Sequence, residues 1–310
     1  MQIPKVVAEI GCNHMGEMRI AREMIETVAA FAKADYVKFQ KRSNRELLTE
    51  TEYAAPHPVP ANSFGTSYGE HREYLELTAD EHRQLMEWCG ELGVGYSSSV
   101  WDRRSAEEIT ALKPDFVKVP SACNLNRSLL ECLATDYGGG IHVSLGMTTP
   151  DEQIQIVELF DKLDALDRVV LYACTSGYPV PHEDVCLLEI ERLEEAFGSK
   201  IAAIGFSGHH LGIAIDIAAV TLGASWVERH FTIDRTWKGT DHAASLEPDG
   251  LRRLVRDIHA VTKALSYKDV PILEIEQVQR DKLKRLPGTH SRCEPEKRPR
   301  TAWESRRRTR

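Results

Sequence analysis

The chain has 310 residues, of which 42% are hydrophobic and 28% are charged, and its formal net charge is -8. The length fits either one α/β barrel or two smaller domains, while the composition excludes a disordered chain or a coiled coil. Because no apolar run of about 18 residues occurs, a membrane protein is excluded as well. Residues 280–310 hold 12 Lys and Arg against 4 Asp and Glu. We therefore expect an acidic body with a basic tail.

The cysteines indicate a reducing compartment. There are seven, an odd number, with no CxxC pair, and the first residues, MQIPKVVAEIG, read as a strand and not as a secretory signal. A large domain with these features typically keeps its thiols free. We predict a cytoplasmic protein without disulfides.

Short apolar or β-branched runs alternate with amphipathic stretches, a pattern typical of repeated βα units. The predicted strands are 6–10, 36–40, 95–100, 116–119, 141–145, 169–174, 202–206 and 226–231. Helical patterns follow them at 17–33, 81–93, 103–112, 127–137, 150–163, 186–197, 211–223 and 249–265. Because each strand has its own helix, the sequence predicts an α/β fold, a single-domain (β/α)8 TIM barrel over residues 1–270. No GxGxxG or GxxxxGK[ST] motif follows the first strand, which disfavours an open nucleotide-binding sheet.

Two segments fall outside this repeat. Residues 41–80, rich in Pro and Gly, form a long βα loop on the second unit, and such loops are typical of active-site lids. Residues 271–310 form a basic C-terminal extension, and the scarcity of aliphatic residues near its end predicts disorder after residue 287. We expect a lid from the first segment and no necessary role for the second.

Every predicted strand ends in polar residues, which predicts one active site at the carboxyl end of the barrel. Lys38 in YVKFQ and Lys118 in FVKVP lie within strands, where a buried ammonium group needs an anionic partner. With the strand-end hydroxyls they predict a pocket for a phosphate or a carboxylate; these hydroxyls belong to Ser99, Ser121, Ser144 and Ser207. The alternative is that each lysine forms a salt bridge with a neighbour such as Glu9.

Two histidines follow neighbouring strands of the predicted barrel. His209 and His230 end strands that lie about 5 Å apart in a sheet, so their imidazoles can converge on one divalent ion. Few soft ligands are at hand, which favours an open site that keeps water for exchange. Competing ligands are His14, His210 and His242, and a purely structural role for the histidines is the alternative.

Two further residues at the strand ends invite a chemical role. Cys174 could be a nucleophile, but no histidine at a diagnostic spacing supports this, so a packed thiol is the preferred interpretation. Glu228 shares a strand face with His230, which makes it either a partner of that histidine or a third metal ligand.

A series of motifs lies at the ends of the predicted strands, in the order AEIGCNHMG, YVKFQ, FVKVPSACNLN, VSLGM, ACTSGYP, GFSGHHLG, VERHFT and GTDHAASLEP. In order and spacing they resemble the sialic acid synthase family, the phosphoenolpyruvate-dependent synthases of N-acetylneuraminate and related nonulosonic acids. The resemblance covers about residues 5–265.

The resemblance implies a condensation of phosphoenolpyruvate with the open-chain aldehyde of an amino sugar, typically N-acetylmannosamine. The products are a nonulosonic acid and phosphate, and Mn2+, or else Mg2+ or Co2+, polarises the aldehyde oxygen. The partners implied are these small molecules, with no membrane and no nucleic acid.

The resemblance also implies roles for individual residues. His209 and His230 match the metal ligands of the family. Glu9 matches a residue that orients or deprotonates water, and the resemblance implies that all three are catalytic. Tyr178 and Asp241 match contacts to the acceptor sugar. The positions that hold phosphoenolpyruvate are matched by Lys38, Ser99, Lys118, Ser121, Ser144, Ser176 and Ser207.

The sequence departs from the family pattern in three places. Cys123 stands where an acceptor-binding Glu is common, which makes N-acetylmannosamine a less secure substrate. Gly208 replaces an aspartate often found before the first metal histidine. The 310 residues leave no room for the C-terminal antifreeze-like domain of full-length members, so we expect a short form, in which barrel contacts still leave a homodimer open.

Two other enzymatic or binding functions stay open at this point. One is a synthase of a related ulosonic acid from another aldose or an aldose phosphate, for which Arg229, Lys238 and Arg103 are the candidate cations. The other is an inactive sugar-binding homologue, which the retention of the lysines, serines and histidines disfavours. Nucleic-acid binding by the basic tail is disfavoured by the acidic body.

Overall fold

Eight parallel strands close on themselves in the computed structural model, which describes residues 3–283 of the chain. Each strand pairs with the next one in sequence, and β8 pairs with β1. The strands are β1 (Lys5–Gly11), β2 (Tyr36–Lys41), β3 (Gly95–Val100), β4 (Phe116–Val119), β5 (Gly140–Ser144), β6 (Val169–Cys174), β7 (Ala203–Gly208) and β8 (Trp226–His230). The prediction of a (β/α)8 TIM barrel is confirmed.

Helices follow the strands along the chain. They are α1 (Met18–Glu26), α2 (Asn44–Leu47), α3 (Glu50–Ala54), α4 (Tyr68–Tyr74), α5 (Ala79–Leu92), α6 (Arg103–Thr110), α7 (Arg127–Asp136), α8 (Pro150–Lys162), α9 (Glu189–Phe197), α10 (Ala214–Thr221), α11 (Pro248–Ala264) and α12 (Glu274–Leu283). The helix predicted at 17–33 divides into α1 and a π-helical turn, Thr27–Ala32. The loop predicted at 41–80 contains the three short helices α2, α3 and α4. Its closure as a lid stays a prediction.

Local sequence signals account for where several helices begin. α5 begins at a capping box formed by Thr78, and α8 begins at one formed by Thr149. In each box the threonine hydroxyl accepts from the backbone N–H of the glutamate three residues later, and that glutamate's carboxylate accepts from the threonine's backbone N–H. Asp102 caps α6 by accepting from the backbone N–H of Ser105 at 2.7 Å. These caps fix the ends of the β3–α6 and β5–α8 connections that border the carboxyl end of the barrel.

The alternation of side chains along the strands separates the apolar core from the polar interior. On β1 and β2, the buried apolar residues Val6, Ala8, Val37 and Phe39 pack in one cluster with the surrounding helices. The residues between them point the other way. The register sets Glu9 beside Lys38 on β2 and beside His230 on β8, and further pairs are Gln40 with Ser99, Ser99 with Lys118, and Ser207 with Glu228. Strand pairing thus brings the polar side chains together inside the barrel.

The described backbone forms two compact units, which divide between Leu265 and Ser266. The first contains the barrel and the second contains α12. The predicted disorder after residue 287 lies outside the described residues. Within residues 3–283, no helix is both long enough and apolar enough to span a membrane, and all six cysteines there are free thiols.

Candidate active site

A cavity of about 350 Å3 opens at the carboxyl ends of the barrel strands. Every site residue predicted from the sequence, apart from Cys123 and Asp241, lines it: Glu9, Lys38, Ser99, Lys118, Ser121, Ser144, Ser176, Tyr178, Ser207, His209 and His230. Glu228 and Cys174 line it too, and so do Gln40, Trp101 and Met147, which the sequence did not single out as site residues. We call this space the main cavity.

A larger cavity, about 520 Å3, lies at the other end of the barrel, where Lys5, His142 and Trp226 line it. In TIM barrels the chemistry takes place at the carboxyl ends of the strands, and the opposite face serves stability. The main cavity also holds the denser set of buried charged groups. We therefore assign the active site to the main cavity.

Lys38 lies at the centre of the buried charges of the main cavity. Its Nζ lies 2.5 Å from Oε2 of Glu9, 3.7 Å from Oε1 of Glu228 and 2.6 Å from the hydroxyl of Ser99. Gln40 donates from Nε2 to the other oxygen of Glu9 at 2.9 Å. The alternative reading of the sequence, a salt bridge between Lys38 and Glu9, is therefore what the structure contains.

Lys118 belongs to the same network. Its Nζ donates to Oε2 of Glu228 at 2.9 Å and lies 3.8 Å from the ring centre of Tyr172, which adds a cation–π contact. Ser207 donates to Oε1 of Glu228 at 3.3 Å. Glu228 thus accepts hydrogen bonds from Lys118 and Ser207, and Nδ1 of His230 makes no hydrogen bond to it. The two lysines are already neutralised by carboxylates, and an entering anion must compete for them.

The network shifts the pKa values of its members. Burial raises the pKa of Glu228, but the ammonium groups of Lys118 and Lys38 outweigh burial and lower it to about 2. Burial dominates at Glu9, so the pKa of this carboxyl is raised despite Lys38. Burial also lowers the pKa of Lys118. Glu228 is therefore a fixed anion, whereas Glu9 is the carboxyl better suited to exchange a proton.

Two hydroxyls of the main cavity converge above Gly146. A Cβ at this glycine would lie 2.6 Å from the hydroxyl oxygens of both Ser121 and Ser176, so no other residue leaves them room. Hydroxyl donors close to a bare stretch of backbone form a suitable cradle for the oxygens of an anion. This cradle supports the predicted pocket for a phosphate or carboxylate.

His209 and His230 lie side by side, with ring centroids 5.4 Å apart. Nδ1 of His209 is 3.1 Å from the carbonyl oxygen of Thr175, so it donates there and leaves Nε2 with a free lone pair. Burial and the neighbouring His230 lower the pKa of His209 to about 3, which keeps its ring neutral at pH 7. Nδ1 of His230 is buried without a hydrogen-bond partner. The pair therefore suits a metal ion.

The carbonyl of Thr175 orients the ring of His209, and Gly208, which replaces an aspartate often found in the family, has no side chain that could do so. A Cβ at Gly208 would lie 2.8 Å from the ring of His210 and 2.9 Å from that of Phe206, so a side chain does not fit there without displacing one of them. The departure at Gly208 thus leaves His209 held by backbone.

The competing metal ligands have other partners. His14 accepts at Nδ1 from the backbone N–H of Gly16, and His242 shares a hydrogen bond of 2.7 Å with Thr232. His210 is fully buried, and its Nε2 accepts from Arg229 at 3.0 Å. None of the three lines the main cavity.

The two cysteines near the strand ends differ in their surroundings. Cys123 follows Ser121 in a short 3-10 turn, but its side chain packs into the hydrophobic core and Ala122 lines the main cavity instead. From its match to an acceptor-binding Glu, Cys123 is expected to line the substrate pocket. In the structure it does not line the main cavity. Burial raises the pKa of Cys174, which fits a packed thiol and not a nucleophile.

A second, smaller cavity of about 190 Å3 adjoins the main cavity. Gln40, Trp101, Tyr178 and His230 line both spaces. Asp241, predicted to contact the acceptor sugar, lines only the second one, where its Oδ2 is 3.9 Å from Nδ1 of His230. We call this space the acceptor cavity. Its remaining lining includes basic residue types that sequence reasoning missed: Arg42, His57, His71 and Arg72.

The cations named from the sequence for a phosphorylated acceptor lie elsewhere. Arg229 is buried in an ion pair with Asp216 and donates to the carbonyl of His210, and it lines neither cavity. Arg103 pairs with Glu107 on the exposed side of α6, and Lys238 lies over the ring of Phe64. Arg229 was the wrong candidate because an arginine within a strand, next to an inward-facing residue, points outward toward α10.

We expect Asp216→Asn to lower the free energy of unfolding by about 3 kcal/mol, because the Arg229 guanidinium would stay buried without a counter-charge. Urea unfolding measures this loss. The control is Asp257→Asn, which breaks the surface pair with Arg256 and should cost less than about 0.5 kcal/mol. Equal losses in the two variants would contradict a structural role for the Arg229 pair.

Comparison with known proteins places the chain among relatives. The NeuB family profile matches residues 24–270. Human N-acetylneuraminate-9-phosphate synthase is 38% identical over 283 residues, which cover 90% of this chain and 76% of the human protein. The chain belongs to the NeuB family. The resemblance to sialic acid synthases is confirmed.

Other members of the NeuB family and a solved structure agree with this placement. The N,N'-diacetyllegionaminic acid synthase of Campylobacter jejuni is 32% identical over 261 residues, covering 84% of this chain and 77% of that protein. A crystal structure of the sialic acid synthetase of Leptospira borgpetersenii in complex with citrate superposes with a TM-score of 0.77 at 27% identity, over 92% of this chain and 94% of the other.

Proposed function

We propose that this chain condenses phosphoenolpyruvate with the open-chain aldehyde of an N-acylated amino hexose, such as N-acetylmannosamine, to give a nonulosonic acid and inorganic phosphate. C3 of phosphoenolpyruvate forms a bond to the aldehyde carbon, water adds at C2, and the C2–O bond to phosphate breaks. The observation that carries the proposal is the main cavity, which gathers two lysines, five serine hydroxyls and a histidine pair at the carboxyl end of a NeuB-family barrel.

Lys38 and Lys118 would hold the phosphate and carboxylate of phosphoenolpyruvate, and the serine hydroxyls would supply further hydrogen bonds. The carboxylates of Glu9 and Glu228 lie beside the two ammonium groups and favour their charged form. When the substrate enters, Glu228 stays ionised, whereas the raised pKa of Glu9 suits this carboxylate to accept a proton from water. Glu9 would then be the group that orients or deprotonates the water added at C2.

The metal would be Mn2+, with Mg2+ or Co2+ as alternatives, held by His209 and His230. When bound, it would polarise the aldehyde oxygen of the acceptor. Within residues 3–283, no group of three or more His, Cys, Asp and Glu side chains is placed to hold a metal, so water and substrate would complete the ligand set. The free Nε2 of His209 and the unpartnered Nδ1 of His230 support this assignment.

The acceptor would lie across the border of the two cavities. The ring of Tyr178 contacts both imidazoles, with centroids 4.4 Å from His209 and 5.7 Å from His230, and Gln40 and Asp241 line the acceptor cavity. This position would place the aldehyde near the histidines and the remainder of the sugar in the acceptor cavity.

The free thiols of the described cysteines support a reducing compartment such as the cytoplasm.

An assay of phosphate release tests the proposal. With phosphoenolpyruvate, Mn2+ and a panel of aldoses and aldose phosphates, we expect release that depends on the acceptor and a keto-acid product with three more carbons than the acceptor. Mixtures without acceptor measure background hydrolysis. If no acceptor in the panel stimulates phosphate release, the proposed function is wrong.

A further inference from the structure

Two buried titratable side chains inside the barrel have no part in the proposed reaction. His142 on β5 and Tyr172 on β6 are buried, and neither lines the main cavity. Nδ1 of His142 and the hydroxyl of Tyr172 share a hydrogen bond of 2.9 Å. Burial lowers the pKa of His142 and raises the pKa of Tyr172, so both groups are uncharged at pH 7. The pair therefore places a neutral aromatic ring among the buried charges of the barrel.

The ring of Tyr172 is held on several sides. Its partner His142 stacks on Phe116 with centroids 3.9 Å apart and meets Trp226 edge to face at 4.6 Å. On the neighbouring strand β7, the residue paired with Tyr172 is Gly205, and a Cβ there would lie 2.7 Å from the tyrosine ring. A larger residue at position 205 would displace the ring. Packing and hydrogen bonding thus fix the ring in one position.

One face of this ring supports Lys118. The Nζ of Lys118 lies 3.8 Å from the ring centre of Tyr172, and an aromatic face attracts an ammonium group most strongly where water is excluded. Burial lowers the pKa of Lys118, so its charged form depends on such partners. Its carboxylate partner, Glu228, lies 2.9 Å away but is shared with Lys38, whose Nζ is 3.7 Å from the other oxygen. The ring is therefore a second support for a buried ammonium group.

A ring and a carboxylate act differently on an entering anion. The negative charge of Glu228 attracts Lys118 but repels the phosphate and carboxylate groups of phosphoenolpyruvate. The ring of Tyr172 attracts the ammonium through its quadrupole and carries no net charge. It can therefore hold Lys118 in place while the substrate competes with Glu228 for the ammonium group.

We propose that Tyr172 is a positioning residue for the reaction, which holds the Lys118 ammonium toward phosphoenolpyruvate and is itself held by His142 and Gly205. The inference rests on the proposed function, in which Lys118 binds phosphoenolpyruvate, and deepens it. Because Tyr172 does not line the main cavity, it acts through Lys118.

Calorimetric titration of phosphoenolpyruvate in the presence of Mn2+ tests the inference. Tyr172→Leu removes the ring, and we expect the dissociation constant and KM for phosphoenolpyruvate to rise about 10-fold. KM for the acceptor and the dissociation constant of Mn2+ should stay within about 3-fold, because the ring acts on Lys118 alone. Tyr172→Phe keeps the aromatic face without the hydroxyl and should recover most of the lost affinity for phosphoenolpyruvate.

A second pair of variants tests whether the effect passes through Lys118. In the Lys118→Met background, Tyr172→Leu should cause no further loss of kcat/KM for phosphoenolpyruvate, since the ammonium that the ring holds is already absent. Losses that simply multiply in the double variant would mean that the ring acts by another route, and the inference would be wrong.

Tyr96→Leu is the matched control. Tyr96 on β3 is also buried, and its hydroxyl shares a hydrogen bond of 2.7 Å with Nδ1 of His82, but its ring packs in the apolar core and does not line the main cavity. Its loss should lower the melting temperature as Tyr172→Leu does, while affinity for phosphoenolpyruvate stays within about 3-fold. If Tyr172→Leu fails to fold, Gly205→Ala supplies the test, because the added methyl group displaces the ring and removes no functional group.

The outcomes separate the inference from the function beneath it. Unchanged affinity for phosphoenolpyruvate in a folded Tyr172→Leu variant, or equal losses for phosphoenolpyruvate, acceptor and Mn2+, overturns the inference alone. Affinity that falls as expected without phosphate release from any acceptor supports the inference and overturns the proposed reaction. If the unchanged protein does not bind phosphoenolpyruvate, both are wrong.

Discussion

His209→Ala should lower metal-dependent kcat by about 10^3-fold or more and leave the barrel folded. Two protein ligands hold the proposed ion, so removing one imidazole halves the protein's share of the coordination and takes away several kcal/mol of charge stabilisation at the aldehyde oxygen. The ring of His209 is not part of the hydrophobic core, and its hydrogen bond to the carbonyl of Thr175 can be replaced by water. A loss of activity without a loss of stability is therefore expected.

A direct measurement of Mn2+ affinity tests whether His209 binds the metal. Titration of Mn2+ followed by electron paramagnetic resonance should give a dissociation constant that rises at least about 100-fold in His209→Ala. His230→Ala should behave in the same way. The control is His182→Ala, an exposed imidazole at the rim near Leu211, which should bind Mn2+ like the unchanged protein. Unaltered Mn2+ affinity in His209→Ala would remove this residue from the metal site.

The fold could be predicted from the sequence because its signal repeats. Eight apolar runs of strand length, each followed by an amphipathic stretch, leave few alternatives to a closed barrel, and the observed strands agree with the predicted ones to within two residues at each end. The 41–80 segment has no such repeat. Its three short helices depend on local caps, such as Thr49 and Ser67, and on contacts between α3 and α4. No hydrophobic periodicity in the sequence predicts these contacts.

From the sequence, the site could be predicted only for residues on or next to the strands, where the alternation of side chains decides which of them point inward. Lys38, Lys118 and the strand-end serines sit at inward positions, so their convergence follows from the fold. Cys123 lies beyond β4, in a turn where the direction of a side chain depends on backbone geometry, and it points into the core. Arg72 comes from a loop helix that is folded over the site. Its place in the acceptor cavity is a tertiary result, which one sequence cannot give.

In the buried pair of Lys118 and Glu228, we expect substitution of the lysine to lower activity and substitution of the glutamate to lower stability. Lys118→Met is expected to lower kcat/KM for phosphoenolpyruvate by about 10^3-fold, because an ammonium that would contact the substrate is gone. Glu228→Gln is expected to lower the free energy of unfolding by about 3 kcal/mol at pH 7, since Lys118 then lacks its carboxylate partner.

The pH dependence of stability follows from the lowered pKa of Glu228. A carboxyl whose pKa is about 2 in the folded protein and about 4.5 when unfolded stabilises the fold above pH 4.5, and this contribution disappears as the pH falls through 2. The stability difference between the unchanged protein and Glu228→Gln should therefore narrow by about 2 kcal/mol between pH 7 and pH 3. Urea unfolding at the two pH values measures it.

The double variant Lys118→Met with Glu228→Gln decides between the two roles of the pair. Removing both charges leaves no unpaired Lys118 ammonium in the barrel, so most of the stability lost in Glu228→Gln should return, whereas kcat/KM should stay as low as in Lys118→Met. The surface pair Arg127–Glu131 provides the control, because Glu131→Gln should change stability by less than about 0.5 kcal/mol. Recovery of activity in the double variant would mean that Lys118 serves only to neutralise Glu228, and phosphoenolpyruvate would then need another cation.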